Sequence, residues 1–124
     1  MPTISKMQIE LIEAKRRPSW FQYPEPFLRV METGLVRFQP WKILDGTASL
    51  SRLVGLRQRF PERDLLPFAL RTDRDDVACW EKGDLSKVVV IHDFADPGWE
   101  QLAVYDTFWD WFRSAIEDFI EFDS

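Results

Sequence analysis

Nucleophilic catalysis needs a thiol or hydroxyl beside a base, and this 124-residue chain offers one cysteine, Cys79, and one histidine, His92. His92 closes the run Val88-Val89-Val90-Ile91, with Asp93 next to it. Neighbouring strand residues point to opposite faces, so His92 and Asp93 are badly placed to pair. Cys79 stands between Ala78 and Trp80, where a small buried hydrophobe is the ordinary reading. No CxxC or paired-histidine spacing suggests a metal site. The segment Arg71-Thr72-Asp73-Arg74-Asp75-Asp76 gathers three carboxylates. A calcium loop would also need a turn glycine and a closing bidentate glutamate, and Arg71 and Arg74 compete for the same oxygens. Carboxylate pairs for glycoside hydrolysis can be drawn in many ways, and nothing in the sequence sets their separation. The segment reads as a solvated hairpin turn, whose functional form is a loop that meets a partner.

A second cluster, Arg52, Arg57, Arg59 and Arg63 beside Phe60, suits contact with a phosphate or an acidic protein. No glycine-rich phosphate loop accompanies it, and a solvated helix face is the simpler account. Charge is divided unevenly along the chain. Residues 1–71 hold 12 Lys/Arg against 7 Asp/Glu, a net of +5, whereas residues 72–124 hold 4 against 14, a net of −10. Nucleic-acid binding wants a positive footprint, so a balance of −5 over the whole chain argues against it and towards a partner with a basic surface. Of six tryptophans, Trp99 follows Asp96-Pro97-Gly98 in a turn, the best place for an exposed aromatic anchor, with Trp20 and Trp41 behind it.

The elements that must position these residues follow from periodicity and punctuation. Ile4, Met7, Leu11 and Ile12 predict a helix over 4–15, ended by Arg16-Arg17-Pro18. Pro24 and Pro26 suit the first turn of a helix over 25–33, with Gly34 as its stop. Residues 41–44 alternate weakly before the turn dipeptide Asp45-Gly46. A helix is expected over 49–59, at the cost of Gly55 in its interior. Strands follow over 65–70, 77–81, 87–92 and 100–105, and their short loops require antiparallel pairing. Pro67 suggests that the first of them lies at an edge or begins there. The stripe Phe108, Phe112, Ala115, Ile116 and Phe119 predicts a closing amphipathic helix over 107–122, with Thr107 and Asp110 at capping spacing. The expected fold is a single α+β domain over 1–124: N-terminal helices, an antiparallel meander of about four to five strands, then the C-terminal amphipathic helix. One cysteine permits no intramolecular disulfide, and no apolar run approaches a membrane span or a signal-peptide core. A cytoplasmic location without membrane contact is expected.

Tyr23-Pro24-Glu25-Pro26-Phe27-Leu28 with Gly34, Leu66-Pro67-Phe68-Ala69 with the acidic turn and Val77-Ala78-Cys79-Trp80, Val88-Val89-Val90, and Thr107-Phe108-Trp109-Asp110-Trp111-Phe112 together resemble the SUKH superfamily over residues 20–122. One departure is Arg74-Asp75 before Asp76, where members often carry Gly-Asp. The resemblance implies an α+β domain without catalytic residues. It also implies either a bacterial immunity protein that neutralises a toxin, often a nuclease, or a regulatory scaffold of the cell-wall type. The expectation is a non-enzymatic protein-binding domain needing no cofactor or metal, with a protein partner such as a basic toxin domain. Its docking residues are expected in the turns of the meander: Asp73, Asp75, Asp76, Asp93, Asp96, Trp99 and Glu100.

Overall fold

The computed structural model describes residues 9–122. A 3-10 turn at Ala14–Arg16 precedes α1 (Glu25–Glu32), β1 (Arg37–Phe38), β2 (Trp41–Ile43), α2 (Gly46–Arg59), β3 (Leu65–Arg71), β4 (Asp76–Glu81), β5 (Asp84–His92), β6 (Gln101–Tyr105) and α3 (Phe108–Phe122). The six strands form one antiparallel sheet in sequence order, β1 to β6. The α+β plan is as expected; the sheet has six strands against the expected four to five, with β2 falling on the weakly alternating residues 41–44 and β1 unforeseen.

Local chemistry sets the boundaries. The Asp45 carboxylate accepts from the Ala48 N–H at 2.8 Å, so α2 begins at Gly46, three residues earlier than the apolar spacing suggests. Gly46 has a second task. A Cβ there would meet the backbone of Leu11 and Ile12 at 2.6–2.8 Å, and its N–H donates to the Glu10 carbonyl. The expected helix over 4–15 does not form across 9–13, and its first residues lie outside the described ones. Those residues carry no regular structure and lie beside the start of α2, and Ile12 donates its N–H to the Tyr23 hydroxyl. At the other end, the Asp110 N–H donates to the Thr107 hydroxyl at 3.1 Å and opens α3.

β3 is a central strand and not an edge, yet β2 pairs only with its residues 69–71. Among the described residues Pro67 therefore has a strand partner on one side alone, Cys79 of β4, and the register shifts between Pro67 and Ala69. The Pro67 carbonyl accepts from the Ser49 hydroxyl of α2 at 2.8 Å, and with no strand partner on the β2 side the missing N–H leaves no ladder bond unmade there.

The sheet divides the core. On one face Leu66, Phe68, Ala78, Trp80, Val88 and Val90 pack with α1, α3 and the segment around Phe21 and Tyr23. Trp80 is the hub: Phe68 stacks on it at 4.2 Å, Phe21 at 5.4 Å, and Phe27 meets it edge-on at 5.0 Å. Such pairs add about 0.5–1.5 kcal/mol each beyond their buried area. On the other face Leu65, Val77, Cys79, Val89 and Ile91 pack under Leu56 and Phe60 of α2 and its end. Asp118 of α3 accepts from Trp41 Nε1 at 2.9 Å and pairs with Arg71 at 3.4 Å, which ties the closing helix to β2 and β3. Among the described residues no helix is long and apolar enough to cross a membrane.

Candidate functional site

An antiparallel meander returns alternate turns to the same end of the sheet. The β3–β4 turn and the β5–β6 turn therefore meet: Asp76 pairs in register with His92, and the Asp93 N–H donates to the Asp75 carbonyl. All seven expected docking residues lie in or beside these two turns, but their side chains do different things.

Three of them are internal. Asp93 has no solvent exposure. One of its oxygens pairs with Arg52 Nη1 at 3.0 Å, and the other with Arg59 Nε at 2.7 Å and Nη2 at 2.6 Å. Glu100 is buried and binds Arg63 Nη1 at 3.0 Å, while its second oxygen accepts the Gly98 N–H at 2.7 Å. Arg63 also forks onto both oxygens of Glu81 at 2.8 and 2.9 Å. Asp76 is buried, 3.4 Å from His92 Nδ1 and 3.5 Å from Arg74 Nε. These carboxylates hold turns in place and present no free oxygen to a partner. Burial works to raise the Glu100 carboxyl, but backbone donors and Arg63 outweigh it and leave it below its usual value.

The other four face water. Arg71 forks onto Asp73 at 2.9 and 3.0 Å and lowers its carboxyl. Asp75 and Asp96 are exposed and their carboxylates have no ion-pair partner among the described residues. Trp99 is 81% exposed, the most open large hydrophobe among the described residues.

Apolar side chains that the sequence reading missed extend this surface. Phe94, in the same turn as Trp99, lies open beneath the Arg59 guanidinium at 4.5 Å. Leu102 and Val104 of β6 are half exposed. Val104 pairs in register with Val89, so it continues the apolar surface under α2 outward onto the face of β6 opposite Tyr105, whose hydroxyl meets Ser114 of α3 at 3.1 Å. β6 is an edge of the sheet, and its sequence Gln-Leu-Ala-Val-Tyr carries no charge or proline to block a further strand. Asp106, just beyond it, is exposed. Alternation along Leu102-Ala103-Val104-Tyr105 is visible in the sequence, yet both faces are apolar. Only the strand order reveals which face is open.

The chemistry of the two candidate reactive groups is equally plain. Cys79 is fully buried, and burial pushes its thiol far above the ordinary range. It faces α2, while His92 shares a face with Val90 against the other layer, so the sheet lies between them. His92 does turn away from Asp93, as the alternation rule requires. A different basic feature emerges on the α2 side. Lys42, Arg52 and Arg59 line a groove of about 450 Å³ together with Ser51, Leu44 and Leu70. Among the described residues no group of three or more His, Cys, Asp and Glu side chains is placed to hold a metal ion. No protein-family model, curated protein or solved structure matches this chain.

Proposed function

We propose that this chain is a non-enzymatic protein-binding domain, an immunity protein that occludes a basic toxin domain of a bacterial polymorphic toxin system. The observation that carries the reading is the open apolar edge formed by Trp99, Leu102 and Val104 beside the free carboxylates of Asp75 and Asp96. Exposed aromatic anchors on rigid turns are favoured contact residues. Unpaired acids around them speed encounter with a cationic surface and repel nucleic acid. The resemblance of residues 20–122 to the SUKH superfamily supports the same reading, which places the protein in the cytoplasm.

The test is co-expression with the toxic products of neighbouring genes, followed by binding of the purified pair. The expected result is rescue of growth and a tight complex that weakens as salt rises. Trp99→Ala is expected to weaken it at least about tenfold, the scale of an anchor worth 1.4 kcal/mol or more. Rescue by none of the neighbours, or a complex indifferent to Trp99→Ala and Asp96→Lys together, would sink the proposal.

A further inference from the structure

We propose that the groove between α2 and strands β2 and β3 is a binding site for a small phosphomonoester with an apolar body. This inference does not rest on the docking edge, and either could stand without the other.

The first observation is size and shape. The groove holds about 450 Å³, inside the ~300–1,000 Å³ that small-molecule sites occupy. Leu44 and Leu70 give it an apolar floor, and Ser51 adds a hydroxyl.

The second is charge. Lys42, Arg52 and Arg59 all line the groove, and no carboxylate does. Among the described residues the one acid tied to them is Asp93, buried behind the two arginines with both oxygens engaged. Three cations against one carboxylate leave +2. A phosphomonoester carries about −1.5 to −2 near neutral pH, whereas a carboxylate carries −1. The balance therefore selects phosphate.

The third is preorganisation. An arginine side chain free in water must be ordered before it can bind, and that ordering costs affinity. Here Asp93 has already fixed both guanidinium groups. Their side chains remain about a third exposed, at 32% for Arg52 and 31% for Arg59. Each guanidinium has more N–H donors than Asp93 uses, in the planar array that suits phosphate oxygens. Gly55 completes the arrangement. A Cβ at that position would lie 2.8 Å from Arg59 Nη2, so glycine leaves room for Arg59 to fold back along its own helix. Lys42 is exposed on β2, without an ion-pair partner among the described residues, and is free to close over a ligand.

The test is an NMR titration of the full chain's backbone amides with inorganic phosphate, phenyl phosphate and acetate at matched ionic strength. Saturable shifts are expected at Lys42, Ser51, Arg52, Gly55 and Arg59 with both phosphates, and none that saturate with acetate. Phenyl phosphate should bind at least about threefold tighter than inorganic phosphate, because its ring reaches the apolar floor. Lys42→Ala leaves the Asp93 pairs intact and should weaken phenyl phosphate at least about fivefold. Lys82→Ala, on the remote β4–β5 turn, should leave it unchanged. Raising the pH from about 5 to 7 should tighten binding as the second phosphate proton, with a pKa near 6, is lost. Equal response to acetate, equal affinity for the two phosphates, or indifference to Lys42→Ala would overturn the proposal.

Discussion

The two faces of the sheet are built on different physics. The α1/α3 face is dominated by aromatic packing: Trp80, Phe68, Phe27, Phe108 and Trp111 interlock, and the Arg71–Asp118 pair joins α3 to β3 outside that cluster. The α2 face has a small aliphatic centre, Leu56, Val77, Cys79 and Ile91, ringed by Asp93 with two arginines and Arg63 with two glutamates. Apolar packing is non-directional and strong per unit area. Partly buried ion pairs add little net stability, because desolvation offsets attraction, but they fix geometry. One face therefore supplies stability, and the other places charged groups and open edges where a partner or ligand can reach them.

The sharpest way to break this comparison is to truncate each centre in turn. Trp80→Ala removes the aromatic hub and should cost about 3–5 kcal/mol in urea unfolding. Asp93→Ala strands two arginines. Breaking a buried pair costs about 3–5 kcal/mol, but guanidinium groups a third exposed can turn to water, so about 2–3 kcal/mol is expected. If Asp93→Ala costs as much as Trp80→Ala, the division between the faces fails.

Acid should act on the ionic ring first. The Glu100 carboxyl is held below its ordinary value of 4.5. A lowered carboxylate contributes its full stability above the unfolded pKa and loses it as the pH falls through the folded one. The urea midpoint should thus be flat above about pH 5 and drop below about pH 4.5. Glu100→Gln should lower the midpoint at pH 6 and shrink the difference between pH 6 and pH 3.5. An undiminished pH difference in that variant would assign the acid sensitivity elsewhere.

Gly55→Ala probes the ring from beneath. Helix propensity favours alanine by about 1 kcal/mol, and displacing Arg59 opposes it. The two should nearly cancel, leaving a change within about 0.5 kcal/mol. In an Asp93→Ala background Arg59 has no carboxylate to hold, and the full gain should reappear. A gain of the same size in both backgrounds would show that Gly55 and Arg59 are uncoupled. The smallest effect belongs to the open edge: Trp99→Ala should shift unfolding by less than about 0.5 kcal/mol, as suits a side chain with little to pack against.

The aromatic face was the easier one to read. The stripe Phe108, Phe112 and Ala115 has helical period, and Trp80 alternates with Val77 and Cys79, so both elements and their inward faces follow from the sequence. Pro67 argues for an edge, and β3 is central in the strand order; the short reach of β2, invisible in one strand alone, leaves Pro67 paired only with β4. The spacing of Ile12 suits a helix, but its backbone lies outside one, in the close approach that Gly46 allows. The candidate site was half legible. Turn chemistry located Asp75, Asp96 and Trp99, but nothing along the chain ties Asp93 to Arg52 and Arg59, 41 and 34 residues away. Long-range ion pairs leave no periodic trace, so a buried carboxylate and a docking one look alike in sequence.

Cys79 turns the division between the faces into a clock. It is the one thiol in the chain, buried in β4 between Pro67 of β3 and Val89 of β5. Folded, it is neither reachable by an alkylating reagent nor ionised enough to react. Each labelling event must therefore report a moment when α2 lifts from the sheet or the central strands part. Followed at rising denaturant, the labelling rate separates openings that free only α2 and its ionic ring from those that release the aromatic layer as well.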